Sequence, residues 1–401
     1  MIEIILIICA ILIGICAGII TGLTPGVHIN LVSTILLSIS PIIALYIPLL
    51  AVAILIMSMS ITHTFLDTIP SIFLGAPDDD KALGVLPGHR YLLRGNGMMA
   101  VKLCIVGGLL GTILSTILFI PLGWILKITY ESGKTYMFWI LLAIVLYTII
   151  KDKKIYLATI IFSISGILGI ITLRLTLKDP LLPLLSGMFG VATLLYSINE
   201  NQTIPTQKEL EHTDLDTKKT ISGTIRGIIA GMITALLPGV SASAASSVSS
   251  QISKKGELGD HGFLILLGAL GSASFILSLA SFLMFEKARN GAMAVITQLS
   301  IIDTRTTIIL LGAGLVASGI AACITLYLGL RAAKFLPNIP YRATCIAVII
   351  FVAAIVFVRC GWLGILVLIT STAIGLLPAA LKTARAQAMG CLLLPVLVML
   401  W

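Results

Sequence analysis

The sequence predicts an all-α polytopic membrane protein with two related halves, from its composition, one long uncharged stretch and a pattern that occurs twice. Of the 401 residues, 58% are apolar and only 11% are charged, whereas about a quarter are charged in soluble domains. The 63 residues between Glu3 and Asp67 contain no Asp, Glu, Lys or Arg. Because a soluble fold needs more polar cover, we exclude a soluble enzyme, a nucleic-acid-binding protein and a disordered chain.

Apolar stretches of about 20 residues cross a bilayer as helices, and about 10 to 12 membrane segments are expected on this basis. The first is expected near residues 2–24, as a retained span. The net charge of +9 is typical of Lys and Arg in cytoplasmic loops, which orient membrane helices. We therefore expect a multi-pass protein of the cell membrane, surrounded by lipid.

Nothing in the sequence indicates an enzyme or a resident cofactor. The seven cysteines show no CxxC spacing and no clustering with histidine, so we interpret them as packing residues rather than metal ligands. No motif for nucleotide hydrolysis or metal-assisted hydrolysis is present. The expectation is a protein without catalytic residues, cofactor or metal.

The two halves share a pattern. Residues 14–27 (GICAGIITGLTPGV) and 227–240 (GIIAGMITALLPGV) align without gaps and agree at ten of fourteen positions. Two further similarities follow in the same order, between 62–65 and 272–275 and between 96–101 and 290–295. We predict membrane repeats at 1–198 and 223–401, joined by a solvent-exposed polar linker at 199–222. Internal duplication is common in secondary transporters, where repeats are inverted or parallel; inversion is our preferred alternative.

Each half contains a broken, re-entrant helix. Proline ends one helix and suits the start of the next, so Pro25-Gly26 and Pro238-Gly239 predict two unwound links inside the membrane. Two helix starts that converge there would present backbone N–H groups and positive dipole ends to an anion. The alternative is a pair of structural kinks, with Ser and Thr packing between helices.

We expect the substrate to be bound by these helix starts and by nearby polar side chains. Backbone N–H groups would come from the two breaks, and hydrogen bonds from four side chains near them. The predicted substrate-binding residues are Pro25, Gly26, Val27, His28, Asn30, Thr64, Pro238, Gly239, Val240, Ser241, Ser243 and Ser274.

His63 and Asp67 are the candidates for ion coupling. Their i, i+4 spacing places them on one face of a helix. An ionisable residue inside a membrane is costly and is a functional hypothesis by default, so Asp67 would handle a proton or Na⁺ with the help of His63. A structural Asp67–His63 pair, or an aspartate at the membrane interface, are the alternatives.

These motifs resemble those of a known family. The G-x-x-A-G-x-x-T-x-x-x-P-G pattern at 14–26 and 227–239, the segment ending in Pro70, and the loop 86–97 are similar to the large membrane subunit TctA of tripartite tricarboxylate transporters. His63, Asp67 and Pro87-Gly88-His89 resemble the archaeal-type branch. The resemblance implies ion-driven uptake of a carboxylate that binds at the repeat interface. A second similarity, of 238–241, is to polyprenyl-phosphate translocases.

We therefore predict an ion-gradient-coupled secondary transporter of a small anionic, carboxylate-type substrate. The alternative is a translocase that binds a polyprenyl-phosphate lipid with the same helix starts, and a third class is a non-transporting membrane scaffold or receptor. The expected partners are an anionic small molecule or a lipid phosphate, and membrane lipids, with a homodimer left open.

Overall fold

The computed structural model describes residues 2–24, 29–73, 85–199, 205–208, 215–237, 242–251, 258–335 and 341–400. These residues are almost entirely helical, and none of them forms a β-strand. In chain order the helices are α1 (Ile2–Leu23), α2 (Ile29–Ile43), α3 (Leu49–Leu66), α4 (Thr68–Phe73), α5 (Val85–Leu93), α6 (Gly97–Ile117), α7 (Phe119–Gly133), α8 (Met137–Ile150), α9 (Ile155–Arg174), α10 (Leu181–Leu185), α11 (Ala192–Asn199), α12 (Thr217–Leu236), α13 (Ala242–Gln251), α14 (Gly259–Phe285), α15 (Gly291–Leu299), α16 (Thr304–Phe335), α17 (Tyr341–Leu381) and α18 (Gly390–Leu400).

Seven of the described helical segments are long and apolar enough to cross a membrane, or eight if the bent pair α7–α8 counts as one span. Three shorter apolar helices accompany them, at 32–43, 181–196 and 386–400. Large apolar side chains cover the outer surface: Ile20 is 66% exposed, Val358 81% and Trp362 76%. Lipid, unlike water, solvates such a surface at no cost. The chain is thus an all-α polytopic membrane protein, as its composition predicts.

A parallel pair of helices, α1 and α3, forms the centre of the first half. Three glycines spaced four residues apart on α1 approach the carbonyl oxygens of α3. A Cβ placed on Gly14, Gly18 or Gly22 would lie 2.5, 2.7 or 2.9 Å from the carbonyl oxygen of Leu55, Met59 or His63, respectively. Because both series of residue numbers increase together, the helices run in the same direction. Small residues let two membrane helices pack this closely.

The second half repeats this arrangement with α12 and α14. A Cβ on Gly223 would lie 2.5 Å from the carbonyl oxygen of Gly262, and one on Gly227 would lie 2.6 Å from that of Leu266. These helices are therefore also parallel. Gly227 corresponds to Gly14 in the sequence alignment, so this aligned pair of glycines approaches a carbonyl oxygen in both halves. Gly231, which corresponds to Gly18, instead lies nearest to a side-chain carbon of Leu277.

Each pair packs against a long helix of the other half. α14 packs along α6, where Gly107 contacts Ile265 and Gly111 contacts Ala269, so α6 and α14 are parallel. Three further contacts show which helices are neighbours. Gly314 of α16 meets Met57 of α3, Gly329 of α16 meets Met98 of α6, and Gly108 of α6 meets Phe65 of α3.

These contacts fix the relative directions of the long helices. A helix rises about 1.5 Å per residue. The contact of Gly329 with Met98 sets the level of α6 against α16. If these two helices were parallel, Gly108 would lie about 37 Å along the axis from Gly314. That is too far for contact with Phe65, because Phe65 lies on α3, which meets α16 at Gly314. Antiparallel α6 and α16, with α3 parallel to α16, satisfy all three contacts. Consequently α1, α3 and α16 run in one direction, and α6, α12 and α14 run in the other.

Part of the polar segment 199–222 is attached to the first half. The side-chain oxygen of Gln207 accepts a hydrogen bond from the N–H of Gly97 (2.9 Å), and its amide nitrogen donates to the carbonyl of Leu92 (3.1 Å). The N–H of Lys208 donates to the carbonyl of Gly95 at 2.8 Å. Residues 205–208 therefore dock on the loop before α6.

Candidate functional site

The structure describes some of the predicted site residues and not others. Asn30, His63, Thr64, Asp67 and Ser274 are described. Pro25, Gly26, Val27, His28, Pro238, Gly239, Val240 and Ser241 lie outside the described residues, as does the side chain of Ser243 on α13.

His63 lies in the closely packed contact between α1 and α3. Its Nδ1 is 3.1 Å from the hydroxyl oxygen of Thr21 on α1, and both residues are buried. The Thr21 hydroxyl donates its proton to the carbonyl of Gly18 at 3.3 Å. The imidazole and the hydroxyl thus form a hydrogen bond across the contact between α1 and α3.

Asp67 lies one helical turn after His63, at the junction of α3 and α4. Its side chain is buried, with the residue only 5% exposed. Its N–H donates to the carbonyl of His63 (2.9 Å), and its carbonyl accepts from the N–H of Ser71 (3.1 Å). A Cβ on Gly22 would lie 3.1 Å from the Asp67 nitrogen. The glycine face of α1 thus ends against the His63–Asp67 turn.

The junction is a local break in the span 49–73. Pro70, inside α4, has no N–H, so the hydrogen bond that would close on the Leu66 carbonyl is missing. Such a break is tolerated at membrane depth where it is buried in protein, and every residue of α4 is buried. The sequence therefore places a carboxylic acid beside interrupted backbone inside an apolar span.

Thr64 lies where α3 and α14 cross, and Ser274 is on α14 one turn further along. A Cβ on Gly271 would be 3.4 Å from the Cβ of Thr64, and Ser274 is three residues after Gly271. The Thr64 hydroxyl donates to the Ile61 carbonyl (2.8 Å), and the Ser274 hydroxyl donates to the Gly271 carbonyl (2.9 Å). A hydroxyl that donates within its own helix keeps oxygen lone pairs as acceptors.

Asn30, at the start of α2, contacts the start of α15. Its side-chain oxygen accepts a hydrogen bond from the N–H of Ala292 at 3.1 Å, and a Cβ on Gly291 would lie 2.7 Å from the carboxamide carbon. Asn30, four residues after Gly26, therefore lies beside the second copy of the Asn-Gly motif. The oxygen of Asn30 satisfies a helix-start N–H that has no partner within its own helix.

Three hydroxyl side chains at the contact of α1 and α3 were not predicted from the sequence, those of Thr21, Ser58 and Thr62. Thr21 was not identified as the partner of His63. The hydroxyl groups of Ser58 and Thr62, on the face of α3 that meets Gly14 and Gly18, are fully buried and have no hydrogen-bond partner. Only the i, i+4 spacing of Ser58 and Thr62, in step with the glycines of α1, is a sequence signal for them.

A further unpredicted group is the carboxamide of Asn290. Its oxygen caps α15 by accepting from the N–H of Met293 at 2.7 Å, while its nitrogen is buried without an acceptor. The repeated motif 290–295 marked this position, but no role followed from the sequence.

The ends of the two helices that precede the breaks have different surroundings. Leu23, the last residue of α1, packs on the apolar cluster that contains Leu66. Leu237 and Ala242, which flank the second break, belong to another cluster with Leu270 and side chains of α8, α9 and α18. Among the described residues, no group of three or more His, Cys, Asp and Glu could hold a metal ion.

A comparison with protein-family models identifies a family. The family model described as "Tripartite tricarboxylate transporter TctA family" matches residues 8–390. The chain is similar to the uncharacterized protein MJ1079 of Methanocaldococcus jannaschii, with 37% identity over 195 residues. The chain spans about half the length of this relative, since the match covers 47% of each. No solved structure matches the chain.

The match extends over nearly the whole chain, and the described helices include seven or eight that could cross a membrane. The protein therefore belongs to the tripartite tricarboxylate transporter TctA family and is a multi-pass membrane protein.

Proposed function

We propose that the protein is an ion-gradient-coupled secondary transporter of a small carboxylate, which binds between the two halves near the Pro25-Gly26 and Pro238-Gly239 links. The observation that carries this proposal is the relation between the helix pairs α1–α3 and α12–α14. Both pairs have the same glycine-to-carbonyl packing, but they run in opposite directions. Opposed copies of one unit are the usual construction of secondary transporters.

In this proposal, residues 1–198 and 223–401 are inverted repeats joined by 199–222. The packing of long helices across the two halves supports this division. Helix α3 of the first half packs on α16 of the second, and α14 of the second half packs on α6 of the first. Movement of one repeat against the other would expose a site between them alternately to the two sides of the membrane.

The carboxylate would be bound by backbone N–H groups at 25–28 and 238–241, with hydrogen bonds from Asn30, Thr64, Ser243 and Ser274. The position of Thr64 at the crossing of α3 and α14, with Ser274 one turn along α14 from Gly271, supports this assignment. The crossing belongs to both halves, so a ligand bound there would contact residues that move relative to each other. Family membership favours a carboxylate over the phosphate of a polyprenyl lipid.

Asp67, with His63, would bind the coupling proton or Na⁺. A buried carboxyl group beside an interrupted helix is costly unless a cation or proton compensates it. The hydrogen bond between His63 and Thr21 orients the imidazole on the same turn of α3. Binding of a proton or Na⁺ by Asp67 would therefore change the charge at the contact between α1 and α3.

The direct test is transport by purified protein in proteoliposomes. Citrate and succinate uptake would be measured with an imposed Na⁺ gradient, with a pH gradient and with neither, and binding to the purified protein would be measured in parallel. We expect one carboxylate to accumulate only when a gradient is imposed.

Two results would overturn the proposal. If a polyprenyl phosphate is translocated and no carboxylate binds, the protein is a lipid-phosphate translocase. If neither ligand binds or moves, the protein is a scaffold or receptor rather than a carrier. Because binding is measured on the purified protein alone, this outcome does not depend on accessory subunits.

A further inference from the structure

Arg289 lies in a segment that folds back along α14. After α14 ends at Phe285, the carbonyl of Lys287 accepts a hydrogen bond from Ser281 (2.8 Å), and the N–H of Arg289 donates to the hydroxyl of Ser278 (3.0 Å). Ser278 is seven residues before the end of the helix, so the backbone of Arg289 lies about 10 Å below that end. The chain thus carries an arginine back towards the membrane interior before α15 begins.

The guanidinium group of Arg289 is held by two aromatic rings. Its central carbon is 5.6 Å from the ring centre of Tyr130, on α7, and 5.9 Å from that of Phe285. These two rings are stacked, with centres 4.3 Å apart and planes 6° apart. Tyr130 belongs to the first half and Arg289 to the second, so this arrangement joins the two halves.

No carboxylate compensates this charge among the described residues. The ion pairs found there involve other residues. Burial lowers the pKa of Arg289, and the hydrogen bond to the Tyr130 hydroxyl raises it without restoring its ordinary value. The group is still cationic at neutral pH. A half-buried cation without a carboxylate indicates that an anion from outside the described chain can bind to it.

Two hydrogen-bond donors on residues adjacent in sequence lack acceptors. The Nε of Arg289 is buried without a partner, and so is the side-chain nitrogen of Asn290. The carboxamide of Asn290 cannot use its oxygen instead, because that oxygen already accepts from Met293. Buried donors in native proteins are nearly always paired, so this pair of donors is a feature that a ligand would explain.

We propose that Arg289 and Asn290 form a subsite for one carboxylate group of the transported anion. The guanidinium and the carboxamide nitrogen would each donate to a carboxylate oxygen, a geometry that arginine suits because its donors form a planar fork. The subsite adjoins the proposed site, since Asn30 binds the N–H of Ala292, two residues after Asn290. This inference rests on the proposed function and adds the residues that recognise the charge of the substrate.

Substitutions at both residues test the subsite, with citrate and succinate binding to purified protein as the measurement. Asn290→Asp keeps the oxygen that caps α15 and replaces the donor with a negative charge. Arg289→Gln removes the charge. We expect each variant to raise the Kd of the bound carboxylate by a factor of about ten or more, which corresponds to about 1.4 kcal/mol.

Two matched variants serve as controls. Arg331→Gln removes another guanidinium that lies over an aromatic ring, Tyr327, at 5.3 Å, but on an exposed side chain. Asn96→Asp changes the corresponding residue of the first half, which makes no side-chain cap. Both controls are expected to bind carboxylates like the unmodified protein. The unfolding temperature of each variant is measured first. If Arg289→Gln does not fold, carboxylate binding by Asn290→Asp and Arg289→Lys tests the subsite instead.

The outcomes separate this inference from the proposed function. If the unmodified protein binds a carboxylate and the variants at 289 and 290 bind it equally well, the subsite is wrong and the transporter proposal stands. If the unmodified protein binds no carboxylate, both are wrong. If the variants lose binding of a prenyl phosphate instead, the two residues recognise a lipid phosphate and the carboxylate assignment is overturned.

Discussion

The imidazole of His63 on α3 and the hydroxyl of Thr21 on α1 are joined across the glycine-lined contact of these two helices, with 3.1 Å between Nδ1 and Oγ1. This hydrogen bond holds a histidine that shares a helical face with Asp67. It also connects the helix that precedes the Pro25-Gly26 link to the helix that carries the proposed coupling residues.

Thr21→Val tests the role of this contact. Valine has the shape of threonine without the hydroxyl, so Nδ1 of His63 loses this hydrogen bond, and a lost buried hydrogen bond costs about 1 kcal/mol. We expect the pH profile of carboxylate uptake to shift. Thr224→Val, which removes another buried hydroxyl that bonds only within its own helix, is the control. An unchanged pH profile in Thr21→Val would show that this hydrogen bond does not orient the coupling site.

Asp67→Asn should abolish gradient-driven uptake while the protein stays folded. The amide keeps the size of the side chain but cannot gain or lose the charge that couples ion and substrate. Uptake and unfolding temperature would be compared with those of Asp303→Asn, a change at an acidic residue that caps α16 through the N–H of Thr306. Uptake equal to that of the unmodified protein would remove Asp67 from the coupling mechanism.

Gly18→Ala should destabilise the protein. The new Cβ would lie 2.6 Å from the Cβ of Thr62 and 2.7 Å from the carbonyl of Met59, so α1 and α3 must separate. Such overpacking costs about 1 to 3 kcal/mol. Gly319→Ala on α16, where nothing lies within 4 Å, should leave the unfolding temperature unchanged or slightly raised. Equal stability of the two variants would contradict the packing described for α1 and α3.

Gly239→Val should eliminate substrate binding. In the proposed site this glycine lets an anion approach the backbone at the start of the helix after the second break, and a branched side chain would block that approach. Binding of citrate and succinate would be measured on the purified variant, with Gly312→Val on α16 as the control. Retained affinity would count against the proposed binding of the anion by helix starts.

Asp152, in the loop between α8 and α9, should make stability depend on acid. Its burial would raise its pKa, but hydrogen bonds from the N–H groups of Ala384 and Lys154 and from Gln387 lower it below the ordinary value. A carboxyl group with a lowered folded-state pKa contributes stability above its unfolded pKa, and this contribution is lost as the pH falls through the folded value.

The unfolding temperature should therefore fall when the pH is lowered from about 5 to about 3, and Asp152→Asn should lose part of this dependence. Circular dichroism in detergent would measure both. The same acid sensitivity in the two proteins would mean that the carboxylate does not link the α8–α9 loop to the segment after α17.

Part of the fold follows from local sequence. The lengths of the apolar stretches predict helices that span the bilayer, because backbone groups in lipid must bond within their own helix. The spacing of His63 and Asp67 places them on one helical turn wherever that helix packs. Repetition of glycines at 14, 18 and 227, 231 marks two surfaces where another helix can approach closely.

What the sequence by itself determined about this protein is its class, its helical segments and the positions at which those helices break or admit close neighbours. Only the tertiary structure decided which residues meet: Thr21 with His63, Thr64 with Gly271, Asn30 with Ala292, and Arg289 with two aromatic rings. The physical reason is that lipid is as apolar as the protein interior, so hydrophobicity does not identify the buried face of a membrane helix. Partners and helix directions then depend on packing between residues far apart in the chain.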